Sequence, residues 1–353
     1  MLNVVKLWVY KYFSDEEAVI LLFLLLVGMF LVIWLGAIMA PVIASIVIAF
    51  ILEGVVTKLV KLGIKERYSI LLTFLLFIGV FSLCIFALFP LVWGQVAALV
   101  KEIPHMFTNL QELVRLLPEK YPQLFSEHLI NQSLSQVANE GAKYGQFVLS
   151  ASLRSIPNIV AIMIYLILVP ILVFFFLKDR ALILKSLAGI LPRDRRLMNE
   201  IWLEMNVQFA NYIRGKVLEI VVVGGATYVC FVVFGLNYAA LLGFLVGLSV
   251  VVPYIGAVVV TIPVVLIAFF QFGWGSEFVY LMLVYGVIQA LDGNVLVPLL
   301  FSEVVNLHPV LIIVAVLFFG GIWGFWGVFF AIPLATLVKA VLVSWPTAGS
   351  HTK

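Results

Sequence analysis

The residues best placed to do chemistry form the run Gln289-Ala290-Leu291-Asp292-Gly293-Asn294, a carboxylate beside a glycine and a carboxamide inside an apolar stretch. A charged side chain in such surroundings is expensive unless it is partnered or wet. One chemistry that fits is a proton or cation site, or a polar contact to a permeating solute. Asn294 would add donors there, and Gly293 would let backbone approach closely. The other reading makes Asp292 a structural group that caps the exposed backbone of a neighbouring broken helix. Glu219 sits one turn into a second apolar run, close to Arg214 and Lys216. It reads as an exchanging carboxylate, or as an interfacial snorkelling or locally paired group. Glu303 and His308 occupy the short link Phe301-Ser302-Glu303-Val304-Val305-Asn306-Leu307-His308-Pro309. His308 could titrate near neutral pH or simply cap a turn. Glu53 and Lys339 fall near predicted helix ends and take the bland reading.

Other chemistries are poorly served. Cys84 and Cys230 both lie in long apolar runs, which excludes a disulfide framework. His105, His128, His308 and His351 have no ligand spacing, so no metal is expected. The nearest approach to a phosphate-binding loop is Arg214-Gly215-Lys216-Val217, which lacks the hydroxyl and the first glycine. The spans hold no paired nucleophile and base. A non-enzymatic chain without a cofactor is expected. The net charge of +3, from 21 basic and 18 acidic residues, pools no basic face and excludes nucleic acid.

The elements that must position these groups are set by hydropathy. Apolar residues make up 64% of the chain, charged residues 11%, and mean hydropathy is +1.20. A soluble domain carries about a quarter charged residues, so the expectation is an all-α integral membrane protein of about eight hydrophobic helical segments. Residues 1–94 hold transmembrane helices 1–3: Ala18–Ala40, a return over Pro41–Val56 with Pro41 at the turn, and a span that starts at Tyr68. Asp15, Glu16 and Glu17 precede the first span, unlike a cleaved signal. Residues 95–153 interleave acidic and apolar residues at helical spacing and read as a small extracytoplasmic amphipathic insert. Residues 154–177 form transmembrane helix 4, with Pro157 at its start and Pro170 inside. Residues 178–216 carry eight bases against four acids and read as a basic cytoplasmic helical segment. By the positive-inside rule the N-terminus, the 58–67 turn and 178–216 face the cytoplasm, and the insert faces outward.

Residues 217–345 form a C-terminal core with two broken-helix units. Leu218–Phe234 is a span, and the run Tyr238–Phe272 is broken at Val252-Pro253-Tyr254-Ile255-Gly256. Phe278–Leu300 is another span, and Pro309–Trp345 is broken between Gly320 and Gly327. The two breaks look alike: Tyr254-Ile255-Gly256 leads to Ile262-Pro263, and Phe325-Trp326-Gly327 leads to Ile332-Pro333. Each leg holds about 15 residues, roughly 22 Å of helix, short of the ~30 Å hydrocarbon core. Two re-entrant or tilted hairpins follow, each entering and leaving on one side. An inverted repeat with broken helices is a transporter signature, with a site between the halves. Pro253, Tyr254, Gly256, Gly293, Pro298, Gly321, Gly324, Gly327 and Pro333 are the candidate turning or gating positions. The spacings Gly243-x-x-x-Gly247 and Gly320-x-x-x-Gly324 allow close helix packing.

Along nearly its whole length the chain also resembles the PerM-type permeases of the autoinducer-2 exporter (AI-2E) transporter family. The likeness rests on Phe174-Phe175-Phe176-Leu177-Lys178-Asp179, Tyr212-Ile213-Arg214-Gly215-Lys216 and Val252-Pro253-Tyr254-Ile255-Gly256. It continues through Asp292-Gly293-Asn294 with Pro298, Leu307-His308-Pro309, and the Gly321/Gly324/Gly327 run closing on Pro333. The resemblance implies about eight hydrophobic segments, an external insert between the third and fourth, and a homo-oligomer, expected to be a pentamer, in the bacterial inner membrane. Relatives have been assigned different cargo, so the family name does not fix the substrate.

The leading expectation is a permease or exporter moving a small polar solute, with the lipid bilayer and the solute as its partners. A monovalent cation/proton antiporter using Asp292 is the alternative within transport. A non-transporting membrane scaffold, acting through 95–153 or its cytoplasmic helices, is the alternative from another class.

Overall fold

The computed structural model describes residues 15–115, 159–189, 195–301 and 307–345. Every element among them is helical. Seven helices are long and apolar enough to cross a membrane, and eight if one bent pair is counted as a span. The chain is an all-α, multi-pass membrane protein.

Helix α1 (Glu16–Lys61) starts on Asp15, whose carboxylate accepts the Ala18 N–H at 3.0 Å. Glu16 and Glu17 in its first turn and Lys58 and Lys61 in its last complement the helix dipole. Its 46 residues contain two crossing-length stretches, Glu16–Gly36 and Ile38–Lys61. The sequence places a turn at Pro41, but the structure keeps Pro41 inside the helix, and the two stretches meet at residue 37. The Ser45 hydroxyl donates to the Pro41 carbonyl at 2.6 Å, the kind of side-chain contact that lets membrane helices tolerate proline.

Helix α2 (Glu66–Leu83) passes through a π-helical turn at Cys84–Leu88 into α3 (Phe89–Arg115). Most of the expected insert, including the acids from Glu119 to Glu140, lies outside the described residues. Helix α4 (Ile159–Lys178) bends by 76° into α5 (Arg180–Ala188). An Arg180–Glu53 ion pair ties this bend to α1. Ala49, Val56, Phe77, Val169, Val173 and Leu177 form the core between α1, α2 and α4.

Helix α6 (Arg196–Val233) runs 38 residues without a break across residue 216. It is the element against which both C-terminal hairpins pack.

The first hairpin is α7 (Ala239–Ser249) and α8 (Ile255–Phe272). Its open ends are stapled by Gln271, which accepts the Asn237 N–H and donates to the Gly235 carbonyl, both at 2.7 Å. The two arms are therefore antiparallel and begin and end together. With 11 residues, α7 is about 16 Å long and cannot reach across a ~30 Å core, whereas α8 is long enough to cross. Tyr254 turns the tip with φ 62°. Gly256 is required there, because a Cβ would occupy the space of the Ser249 carbonyl oxygen.

Helix α9 (Ser276–Leu291) leads through a second π-helical turn, Asp292–Leu296, into the short α10 (Val297–Phe301). The second hairpin is α11 (Pro309–Phe329) and α12 (Ala331–Ser344). Its break falls at Gly324 (φ 60°, ψ −135°), a conformation open to glycine alone. Gly324 is thus a hinge and not half of a helix-packing pair. Just beyond it, a Cβ on Gly327 would collide with the Phe319 carbonyl, as one on Gly256 would with that of Ser249. Ala315, Val316 and Phe319 before the break at Gly324 cluster with Val328, Ala331 and Ala335 after it, and with Val252 from the first hairpin's tip. Both breaks read from the sequence are present, and their tips meet.

The close packing expected at Gly243-x-x-x-Gly247 is also present. A Cβ on Gly224 of α6 would lie 3.1 Å from Gly247 Cα and 3.2 Å from the Gly243 carbonyl oxygen.

With Cys84 and Cys230 replaced, single cysteines at Asn237 and Ser276 should react with a membrane-impermeant maleimide from the same face of sealed vesicles. Labelling from opposite faces would contradict the hairpin. Gly256→Val should abolish monodisperse protein in detergent, because backbone, not a flexible side chain, blocks the new atoms.

Candidate functional site

The hairpin tips converge on one face of α6. A helix broken inside hydrocarbon leaves carbonyls without partners, and each needs a donor from elsewhere. Tyr212 and Lys216, four residues apart and so stacked on one face, supply two. The Tyr212 hydroxyl donates to the Phe329 carbonyl of the second hairpin at 3.0 Å. The Lys216 ammonium donates to the Val250 carbonyl of the first at 2.8 Å. Both side chains are buried, at 1% and 4% exposure.

Lys216 also donates to Glu219 Oε2 at 2.7 Å, and its ammonium lies 5.1 Å from the Phe301 ring centroid. Glu219 is 2% exposed, so it is a buried partner and does not snorkel. The local pairing foreseen in the sequence is made with Lys216 alone. Arg214 turns away, its guanidinium lying 5.9 Å from the Phe50 ring beside Gly54.

Asp292 opens the π-helical turn that packs on α6, within electrostatic range of both Lys216 and Glu219. The residue is half-buried, and its Oδ1 is enclosed without a hydrogen-bond partner among the described residues. The junction thus combines one ammonium, two carboxylates and one unclaimed carboxylate oxygen. A π-helical turn is a frequent marker of functional positions in helices.

The remaining sequence candidates fall elsewhere. Asn294 is exposed, and its amide donates back to the Ala290 carbonyl at 2.8 Å. Gly293 is exposed, and a Cβ built on it would meet no atom of another element within 4 Å among the described residues, so no neighbouring backbone packs there. His308 caps α11, its Nδ1 accepting the Val310 N–H at 3.3 Å. Glu303 lies outside the described residues. Pro253, Tyr254 and Gly256 form the first tip, with only Gly256 buried. Pro298 is exposed on α10, Gly321 has open space around it, and Pro333 is buried in the first turn of α12.

Sequence reasoning missed Tyr212 and Lys216 as site residues, counting both within the basic segment 178–216. Their four-residue spacing, with Glu219 three residues beyond Lys216, was the available signal. One further feature borders the junction. Trp323 and Trp326 both stack on Phe330, at 6.1 and 6.2 Å between ring centroids. Farther along α6, a cavity of about 130 Å³ lies against α12, lined by Glu204, Gln208, Thr336 and Lys339 among others.

A family model described as AI-2E family transporter matches residues 20–347. PerM of Escherichia coli (strain K12), which bears a permease's name, is 46% identical over 346 residues, covering 98% of each chain. YueF of Bacillus subtilis (strain 168), named as a transport protein, is 28% identical over 321 residues, covering 89% of this chain and 85% of its own. YrrI of the same organism is 26% identical over 304 residues, covering 86% and 85%.

Breaking the Lys216–Glu219 pair from one side leaves an unpaired buried charge, which costs about 3 kcal/mol. Lys216→Met should therefore lower the melting temperature in detergent sharply. Lys216→Met with Glu219→Leu should recover part of the loss. A double variant no more stable than the single one would mean that Val250 capping, not charge pairing, dominates.

Proposed function

Because the chain belongs to the AI-2E transporter family, we propose that it is a secondary transporter in which Asp292 exchanges a monovalent cation for a proton. The observation that carries this reading is the enclosed, unpartnered Asp292 Oδ1 beside the Lys216–Glu219 pair. With all three groups ionised, the junction holds one positive and two negative charges. In a low-dielectric setting such an excess is relieved by taking up a small cation or a proton. The other polar groups at the junction, Tyr212, Lys216 and Glu219, already have partners. A solute that needs several hydrogen bonds would find one free acceptor and one spare ammonium donor there, whereas an ion or a proton needs little more.

A second reading, export of a small polar solute through the same junction, draws on the aromatic wall. Trp323 and Trp326 each stack on Phe330, and flat rings hold organic molecules well. The address of either activity is the bacterial inner membrane. The N-terminus and 178–216 face the cytoplasm and 95–153 faces outward, as the distribution of basic residues requires. Large exposed residues such as Phe23, Trp34, Phe86 and Trp93 leave ample apolar surface for lipid and for the neighbouring copies of a homo-oligomer.

The test is proton flux in proteoliposomes, read with a pH-sensitive dye under imposed sodium, potassium and proton gradients. Wild type should show cation-dependent flux, and Asp292→Asn, assembled normally, should lose it by at least roughly 100-fold. No flux from well-folded wild type would exclude the antiporter and leave the organic-solute reading. If no transport of any kind can be driven, and partial deletion of 95–153 has a phenotype where Asp292→Asn has none, the scaffold reading stands instead.

A further inference from the structure

We propose that Lys216 is a tethered cation that competes with the transported ion for Glu219 and Asp292, and that its release from the Val250 carbonyl unlatches the first hairpin. The inference rests on the antiporter reading given above and adds to it a residue and a coupling step.

An ammonium offers three donors. Two are engaged, on Glu219 Oε2 at 2.7 Å and on the Val250 carbonyl at 2.8 Å. The third is unassigned, and so is Asp292 Oδ1, which belongs to a carboxylate that attracts Lys216. The turn that starts at Asp292 packs on the helix that carries Lys216, so one spare donor and one spare acceptor of opposite charge belong to the same junction. The other groups around the ammonium are the Phe301 ring at 5.1 Å and the Tyr212 hydroxyl, which is held by the Phe329 carbonyl. No second base faces it among the described residues, because Arg214 lies against Phe50 and Gly54.

In the empty protein Lys216 offsets one of the two acids and pins the tip of α7. A monovalent cation arriving at Asp292 duplicates that positive charge and repels the ammonium. The Val250 carbonyl then loses its donor, and the hairpin tip is free to shift against α6. Departure of the ion reverses both steps. Ion binding and hairpin position are thereby linked through one side chain, and linkage of this kind is reciprocal.

The experiment compares Lys216→Gln, Lys216→Arg and the charge-balanced pair Lys216→Gln with Glu219→Gln. The readouts are the half-saturating sodium concentration and the maximal rate of proton flux in proteoliposomes. Removing the tethered charge should lower half-saturation at least roughly tenfold and reduce the maximal rate, because the ion no longer has a competitor to expel it. Lys216→Arg should stay near wild type in half-saturation. The double variant restores the net charge of the junction and should return half-saturation towards wild type. It also removes the unpaired buried carboxylate, so it remains informative if Lys216→Gln fails to fold. A fall in maximal rate with half-saturation unchanged in all three would make Lys216 a structural cap only and overturn the inference, while leaving Asp292 as the exchange site. Absence of cation-dependent flux in wild type would overturn the antiporter reading and this inference with it.

Discussion

Hydrocarbon offers no hydrogen bonds, so any helix that stops inside it must find donors for its last carbonyls. This chain breaks two apolar helices, at Ser249 and at Gly324. It satisfies a carbonyl beyond each break from a single face of α6, through Lys216 and Tyr212. Much else follows from that arrangement. The tips have to meet, since their donors are one turn apart, and the glycines at 256 and 327 have to lie hard against backbone for the folded-back segments to reach. The stapling of the first hairpin's base by Gln271 serves the same end, fixing where its tip can go.

Choosing a lysine as one of the donors brings a charge where a neutral group would have sufficed. The tyrosine shows that a neutral donor works for the other tip. A buried ammonium then requires an anion, and Glu219 supplies it three residues along the same helix. That pair is complete in itself, which leaves Asp292 as a surplus carboxylate. Buried ion pairs are weak evidence for stability, and the surplus carboxylate beside this one keeps an Oδ1 with no hydrogen-bond partner among the described residues.

The sequence reveals the architecture more readily than the site. Span number, the two interruptions and the Gly243/Gly247 contact all follow from hydropathy, proline and glycine, which act locally. Asp292 stands out because a lone acid in an apolar run is rare. Lys216 does not stand out, because it follows a stretch of true surface bases and burial cannot be read from type. What distinguishes it is the Val250 carbonyl, 34 residues away in sequence. Pro41 misleads for the opposite reason: proline is read as a breaker, yet Ser45 and neighbouring helices hold the segment straight enough to remain helical. Asn294 misleads because a carboxamide beside an acid looks like a ligand, while its position on the outer face sends it back to its own helix.

The π-helical turn at Asp292–Leu296, closed by the Val297 N–H on the Asp292 carbonyl, has its own bearing on how such a protein moves. It carries one more residue than the α-helical turn it replaces, and it is a packing defect that can migrate along a helix as hydrogen bonds exchange partners. Each step transfers one residue across the defect and rotates it about the axis by about 100°. Asp292 stands at the edge of that defect. A shift of the turn by one residue would re-aim the Asp292 carboxylate without breaking the helix.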